Sequence, residues 1–442
     1  MRWGGSIAFQ KEDAHLFKGR EQFIQDLAQA VKRKPLVAVV GPSGSGKSSV
    51  VFAGLIPSLR AGAQSIPPPL IVSFRPGNNP IEALASAIAP VWQYLQDENA
   101  RRLVELELAN ALRQDCKALY KIIEKLVQQN QGTRLVLIAD QFEELYTQCP
   151  ESELKPFLDA LLTACSCAPA FTLVVTLRAD FYGHALSYRP FSDALQGAIH
   201  NLGPMSREEL QTAIEDPAAQ MQVQLENGLT NKLINDSLGQ PGHLPLLEFA
   251  LTTLWSKHKG GLLTNQAYEE IGGVEKALAN HAEAVYSCLS EADRIRAQRV
   301  FIQLVQPGTG KDDNRRLATR DQIKQENWDL VTRLASSRLV VTNCNESTQE
   351  ETVEIVHEAL IRSWGRLEHW LQIDGEFRLW QEQLRAAMHQ WESSGKDQGA
   401  LLRGKPLADA EYWQIKRLDE LSSGERYFIG LSLELRSSKF KK

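Results

Sequence analysis

The fold is decided by residues 36–49, which run Leu36-Val37-Ala38-Val39-Val40 and then Gly41-Pro42-Ser43-Gly44-Ser45-Gly46-Lys47-Ser48-Ser49. Five successive apolar residues between Pro35 and Gly41 predict a strand that is buried on both faces, as in a parallel sheet. The glycines and serines predict a tight loop, and a helix is expected after them. The sequence therefore places a glycine-rich turn between a buried strand and a helix.

Residues 41–48 match the pattern G-x-x-x-x-G-K-S without a mismatch. In such a loop the glycines allow backbone N–H groups to point at phosphate oxygens, and the following helix N-terminus adds its dipole. Lys47 would reach the β- and γ-phosphates, and the Ser48 hydroxyl would ligate Mg²⁺. Residues 41–49 are therefore the candidate site for the phosphates of a Mg-nucleotide. A chance glycine-rich turn is the alternative, and the strand and helix around the loop disfavour it.

A second acidic strand end follows the apolar run Leu135–Ala139. Asp140 comes directly after this run and is expected to hold Mg²⁺ together with Ser48. Glu143 and Glu144 lie three and four residues further on, where either carboxylate could polarise the attacking water. The alternative is that both belong to an acidic helix start, which the helix dipole favours. The sequence alone does not choose between base and cap.

Arg178 directly follows the β-branched, strand-like run 171–177. A strand end beside the phosphate loop is where a γ-phosphate sensor is expected, because the carboxyl ends of parallel strands meet at one edge of the sheet. We therefore predict that Arg178 is a sensor. The alternative is a surface ion pair between Arg178 and Asp180.

Apolar runs and amphipathic segments alternate through the first part of the chain, which predicts a doubly wound α/β fold with a parallel sheet. After it, Ser206 and Glu209 form a capping-box pattern that opens a helical region. Further on, two strand-like runs after several helices suggest a winged helix. The predicted organisation is an N-terminal segment 1–35, an α/β core 36–205, a helical lid 206–290, a winged helix 291–365 and a helical region 366–442.

Composition limits the classes of function. With 442 residues and a formal net charge of −5, the chain offers no overall case for binding nucleic acid, although Arg315, Arg316 and Arg320 form a local basic stretch. Six scattered cysteines fit no zinc spacing and suit a reducing cytosol. The uncharged stretch 160–177 is divided by Pro169 into a helix end and a strand, so no membrane span and no signal peptide are expected.

Several short motifs, taken in order, give the chain a family resemblance. They are Phe17-Lys-Gly19-Arg20-Glu21, the loop 41–49, Asp140-Gln-Phe-Glu-Glu144, Leu177-Arg-Ala-Asp-Phe181, Gly242-His-Leu-Pro245, Gly272-Gly273-Val and Val356-His-Glu-Ala-Leu-Ile-Arg-Ser-Trp364. With these the chain resembles the STAND class of P-loop NTPases, and in particular the "novel STAND" module often found upstream of WD-type propeller repeats in bacteria. The resemblance covers nearly the whole chain.

The resemblance implies roles for further residues. Gly19 and Arg20 would lie near the adenine and ribose, and Pro245 would pack on the base at the start of a lid helix. His357 would contact the β-phosphate of ADP and so lock a closed state. ATP rather than GTP is implied by the resemblance and by the lack of an Asn/Thr-Lys-x-Asp motif. Gln141 departs from many ATPases, which have an acidic residue there, and this fits slow turnover.

The function that the resemblance implies is a slowly hydrolysing cytoplasmic switch in signalling, defence or regulated assembly. ADP would lock it closed, whereas ATP would open it and drive self-association; the sequence names no sensor or effector partner. The alternative is an AAA-type ATPase that binds DNA through its winged helix, with phosphate contacts from Arg315, Arg316 and Arg320. The acidic balance of the chain argues mildly against DNA.

Overall fold

The computed structural model describes residues 9–61, 68–92, 98–147, 149–238, 243–258, 260–306, 313–344 and 351–440. The chain divides into two compact units, Met1–Tyr268 and Glu269–Lys442. The finer division into core, lid, winged helix and helical region stays a prediction.

The first unit is built on a five-stranded parallel sheet with the order β2-β3-β4-β1-β5. Its strands are β1 (Leu36–Gly41), β2 (Leu70–Phe74), β3 (Leu135–Ala139), β4 (Phe171–Arg178) and β5 (Ile199–Asn201). Every residue of β1 and β3 is buried, as their uninterrupted apolar runs predict. The predicted parallel α/β architecture is confirmed. The short strand β5 was not predicted, because Ile-His-Asn carries no apolar run.

Helices cover both faces of the sheet. Val37 and Val39 of β1 point into one core cluster, whereas Ala38 and Val40 point into another. The helices of this unit are α1 (Glu21–Arg33), α2 (Lys47–Ser49), α3 (Ile56–Ala61), α4 (Pro80–Trp92), α5 (Glu98–Gln114), α6 (Ala118–Gln129), α7 (Glu144–Thr147), α8 (Glu151–Cys167), α9 (Tyr182–Ser187), α10 (Arg189–Leu195), α11 (Arg207–Gln220), α12 (Leu229–Ser237) and α13 (Leu244–Ser256). A wide π-helical stretch, Val50–Leu55, joins α2 to α3. The alternation of side chains along β1 therefore fills a core on each face.

The helical part of the first unit begins at α11, and the predicted capping box is present there. The Ser206 hydroxyl accepts the Glu209 N–H at 3.2 Å, and the Glu209 carboxylate accepts the Ser206 N–H at 2.8 Å. Such caps contribute about 1 kcal/mol to a helix. Two short strands, β6 (Gln224–Leu225) and β7 (Leu262–Leu263), pair in parallel. Helix α14 (Asn265–Ile271) follows them.

The second unit is mostly helical and carries two small antiparallel sheets. Its helices are α15 (Gly273–Ser287), α16 (Glu291–Gln303), α17 (Arg320–Ile323), α18 (Trp328–Ser336), α19 (Ala359–Ser363), α20 (Gly365–Ile373), α21 (Gly375–Ser393), α22 (Gly404–Arg417) and α23 (Ser423–Phe440). Its strands are β8 (Val305–Gln306), β9 (Asn314–Arg315), β10 (Ala318–Thr319), β11 (Val340–Cys344) and β12 (Glu351–Ile355). Strands β11 and β12 pair antiparallel, as the two predicted runs require, and β10 adds to β12. The assignment of a winged helix stays a prediction.

The uncharged stretch 160–177 divides as Pro169 predicts, between the end of α8 at Cys167 and the start of β4 at Phe171. Among the residues that the structure describes, none of the helices has the length and apolar character needed to cross a membrane. Cys165 lies near the end of α8, and burial raises the pKa of its thiol to about 12. A raised pKa lowers the fraction of reactive thiolate, which favours a packing role for Cys165.

Candidate nucleotide site

The loop after β1 has the geometry that its glycines predict. Gly44 and Gly46 have φ of 72° and 88°, in the left-handed region that side chains disfavour. A Cβ at Gly41 would lie 2.6 Å from the Leu202 carbonyl oxygen and 2.8 Å from the Ser45 hydroxyl. The Ser45 hydroxyl is buried and has no hydrogen-bond partner among the described residues. The loop is therefore closely packed at Gly41 and keeps an unused buried hydroxyl at Ser45, which suits a phosphate cradle.

Lys47 folds back over this loop. Its ammonium donates to the Gly41 carbonyl at 3.0 Å and to the Pro42 carbonyl at 2.8 Å. Burial lowers the pKa of Lys47, and the nearby Glu143 carboxylate partly opposes that shift. The ammonium is thus held at the loop by two neutral carbonyls. Phosphate oxygens would offer it stronger, charge-assisted hydrogen bonds.

Ser48 and Asp140 meet, as the predicted Mg²⁺ ligands should. The Ser48 hydroxyl donates to Oδ1 of Asp140 at 2.7 Å, and the Thr176 hydroxyl donates to the same oxygen at 2.8 Å. Asp140 is 1% exposed, and its Oδ2 has no hydrogen-bond partner among the described residues. A hydroxyl beside a buried carboxylate with a spare oxygen is a donor set that Mg²⁺ takes together with nucleotide phosphates. The residues present therefore fit the metal.

Glu143 and Glu144 both lie at this edge of the sheet. The Glu143 carboxylate accepts the Arg178 backbone N–H at 3.2 Å, and the Glu144 carboxylate accepts the Gly77 backbone N–H at 3.0 Å. Burial raises the pKa of both groups, that of Glu144 to about 7, with the charge of Arg75 opposing the shift of Glu144. Glu144 is also the first residue of α7. Its position is compatible with either role that the sequence allowed, base or helix start.

Two residues of the site were missed by the sequence analysis, Thr176 and Arg75. Thr176 donates to Asp140 and also accepts the N–H of Gln141 at 2.8 Å, which holds Gln141 at a φ of 55°. The Nε of Arg75 lies 3.5 Å from Oδ2 of Asp140. Only their position in the sequence could have identified them, because both lie at or near the carboxyl ends of the strands that flank β3.

Arg178 lies at the end of β4, in register with Gly41. Its guanidinium binds the Asp180 carboxylate through two hydrogen bonds, of 3.1 and 2.7 Å, and lies over the ring of Phe181. The pair with Asp180, which was the alternative at the sequence level, is therefore formed. The strand end places Arg178 where a sensor was expected, and the sensor role itself stays a prediction.

Gly19 and Arg20 contact the start of the helical region. Gly19 has a φ of 85°, and a Cβ there would lie 2.3 Å from the Glu209 carbonyl oxygen. Arg20 is 5% exposed; it donates to the Gly203 carbonyl at 2.7 Å and pairs with Glu209 at 3.3 Å. This element thus connects the N-terminal segment to α11. Its expected place near adenine and ribose stays a prediction.

Three more predicted site residues, Ser49, Pro245 and His357, lie in different parts of the chain. Ser49 accepts the Phe9 N–H at 3.2 Å, so its hydroxyl holds the N-terminal segment. Pro245 is the second residue of α13, at a helix start as the resemblance implies, while Gly242 lies outside the described residues. His357 belongs to the second unit, where its Nδ1 accepts the Ala359 N–H at 3.4 Å. Contacts of Pro245 with the base and of His357 with ADP stay predictions.

The basic stretch 315–320 is engaged within its own unit. Arg315 pairs with Glu354, and Arg320 pairs with Glu351. Arg316 donates to the Gln303 carbonyl at 3.0 Å and to Gln322 at 2.9 Å, and burial lowers its pKa to about 10. Two of these cations pair with acids on β12, and the third is half-buried and bound by Gln303 and Gln322. The stretch therefore does not favour the binding of DNA phosphates.

Comparison with solved structures gives remote likenesses. A Walker-type ATPase of Pyrococcus abyssi is 12% identical, with 80% of this chain and 97% of that chain covered at a TM-score of 0.42. The ORC2 protein of Aeropyrum pernix is 14% identical, with 81% of this chain and 95% of that chain covered at a TM-score of 0.43. Drosophila ORC bound to DNA is 13% identical, with 79% of this chain and 90% of that chain covered at a TM-score of 0.41. At these scores the likenesses carry no argument about what this chain does.

A comparison with curated proteins gives no match. The model of the Novel STAND NTPase 1 family, in contrast, matches residues 3–399, which is most of the chain. That range includes the phosphate loop, the Ser48–Asp140 pair and the Arg178 strand end. The chain therefore belongs to the Novel STAND NTPase 1 family.

Proposed function

We propose that this protein is a slowly hydrolysing Mg-ATP switch. ADP holds a closed state, whereas ATP opens the protein and drives self-association, and the switch acts in signalling, defence or regulated assembly in the cytoplasm. Ser48 and Asp140 would hold Mg²⁺, which neutralises phosphate charge. Lys47 and the loop N–H groups would hold the β- and γ-phosphates.

One observation supports the proposal: each candidate base is bound by a backbone N–H, one at the end of β4 and the other in the loop after β2. Glu143 accepts from Arg178, and Glu144 accepts from Gly77. One oxygen of each carboxylate is engaged in this way, and we expect each acid to need a local rearrangement before it acts on a water. At a pKa of about 7, Glu144 is partly ionised near neutral pH and can accept a proton once it is released. Slow, gated hydrolysis follows.

Discrimination between the two nucleotides needs a group that ATP contacts and ADP does not, because a ligand shifts an equilibrium only by its differential affinity for the two states. Arg178 is the candidate. Its guanidinium is satisfied by Asp180 in this structure, and its backbone N–H is bound by Glu143. A γ-phosphate would compete with Asp180 for the guanidinium. Movement of Arg178 would then disturb Glu143 and so couple sensing to the candidate base.

Light scattering after size-exclusion chromatography tests this proposal, with the full chain in ADP or in a non-hydrolysable ATP analogue. We expect a single-chain mass with ADP and a multiple of it with the analogue. R178A should bind both nucleotides yet lose the mass change. R189A is the matched control, because Arg189 forms an exposed pair with Asp193 in α10. Equal masses in both nucleotides, with rapid turnover, would contradict a switch.

A further inference from the structure

The pairing of β2 with β3 places a cation beside the predicted metal ligand. Phe74 is in register with Ala139, and the Asp140 N–H donates to the Phe74 carbonyl at 3.0 Å. The next residues along the two strands, Arg75 and Asp140, are therefore neighbours. This neighbourhood follows from the sheet itself and does not depend on a flexible loop.

The two oxygens of Asp140 have different surroundings. Oδ1 accepts from Ser48 and Thr176, whereas Oδ2 has only the Nε of Arg75, at 3.5 Å and without a hydrogen bond. The Arg75 side chain is 47% exposed, whereas that of Asp140 is 1% exposed. Arg75 thus reaches a buried anion from the solvent side and is held there by charge alone. Such a contact is easily exchanged for a better cation.

The loop that begins at Arg75 also holds the second acid. Two residues on, the Gly77 N–H binds the Glu144 carboxylate at 3.0 Å. The positive charge of Arg75 also acts on Glu144. Residues 75–79, which join β2 to α4, therefore contact two carboxylates of the site, those of Asp140 and Glu144.

We infer that Arg75 is a displaceable counter-ion, which neutralises Asp140 while the metal is absent and leaves Oδ2 when Mg²⁺ arrives. Two cations cannot share one carboxylate oxygen at contact distance without strong repulsion. Arrival of the metal therefore moves Arg75, and with it the loop 75–79 that holds Glu144. This inference rests on the proposed Mg-ATP site and adds to it a route from metal binding to the release of Glu144.

The test is a titration of the full chain with Mn²⁺ alone, followed by water-proton relaxation, with D140N defining the signal that belongs to the site. R75Q should bind Mn²⁺ three- to tenfold more tightly than the wild type, whereas R75K, which keeps the charge, should stay within twofold of it. R113Q is the matched control: it removes the same charge from an exposed pair with Glu82. Its Mn²⁺ affinity should stay within twofold.

Unchanged or weaker Mn²⁺ binding in R75Q would overturn the inference, because Arg75 would then be a fixed support of Asp140. A second titration separates the two proposals. Fluorescent ADP is added to the wild-type protein, once in EDTA and once in Mg²⁺. Wild-type protein that fails to bind this ADP, with or without Mg²⁺, would refute the proposed function. The Mn²⁺ titration, which uses no nucleotide, would still decide the role of Arg75.

Discussion

The Ser48 hydroxyl donates a 2.7 Å hydrogen bond to Oδ1 of Asp140, although 92 positions separate the two residues in the chain. Parallel strands bring them together: β4 lies between β1 and β3, and all three end at the same edge. The hydroxyl and the carboxylate thereby belong to one site. A pre-arranged site of this kind reduces the ordering cost of binding Mg-nucleotide.

Replacement of Glu144 by Gln should identify the base. Since a pKa of about 7 matches the operating pH of a general base, we expect E144Q to lower hydrolysis by about 100-fold. In the wild type the rate should rise between pH 6 and pH 8, as Glu144 loses its proton. Single-turnover hydrolysis of radiolabelled ATP measures both effects. E143Q is the comparison, and a larger loss in E143Q than in E144Q would reverse the assignment.

Replacement of Gly19 by Ala should weaken the connection to α11. The new Cβ would lie 2.3 Å from the Glu209 carbonyl and would require a left-handed residue at a φ of 85°. Gly132 is the matched control, because its φ is 80° and a Cβ there meets nothing within 4 Å. We expect G132A to lower the free energy of unfolding by about 1 kcal/mol and G19A by at least twice that. Guanidinium unfolding followed by circular dichroism gives the comparison. Equal losses of unfolding free energy in G19A and G132A would mean that the Glu209 backbone moves away from the new Cβ at little cost.

His357 should make the second unit sensitive to acid. Burial, together with the charge of Arg315, lowers the pKa of His357 from 6.5 to about 3, and its Nδ1 is an acceptor. Stability from the neutral ring is present above pH 6.5 and is lost as the pH falls towards 3. At pH 5 the free energy of unfolding of the wild type should have fallen by about 2 kcal/mol more than that of H357Q.

Urea unfolding at pH 7.5 and pH 5, followed by tryptophan fluorescence, measures this difference. The signal comes mainly from the second unit, which holds Trp328, Trp364, Trp370, Trp380, Trp391 and Trp413. H389Q, which changes an exposed histidine of α21, is the control. Parallel pH profiles for the wild type and H357Q would show that the ring is not kept neutral.

The strands and the phosphate loop could be predicted because their signals are local. The runs 36–40 and 135–139 are apolar at every position, the run 70–74 is apolar except at Ser73, and Gly41 to Ser48 match their pattern by spacing alone. The position of Asp140 follows from the end of its strand. These features need no knowledge of which strands are neighbours.

Other parts of the site depend on contacts between distant segments. Arg75 and Thr176 adjoin Asp140 only because β2 and β4 flank β3, an order that the sequence does not state. Arg20 contacts Glu209 across 189 positions, and its role at the start of α11 is visible only in three dimensions. The direction of the Arg178 side chain, towards Asp180, was likewise one of two open alternatives.

The most direct test of the switch is the identity of the nucleotide that the purified chain carries. The protein would be denatured and its supernatant separated by ion-exchange chromatography, with K47A, which lacks the buried ammonium at the loop, prepared in parallel. We expect close to one ADP per chain in the wild type and none in K47A. A site that is purified empty, in a protein that turns over ATP rapidly, would contradict it.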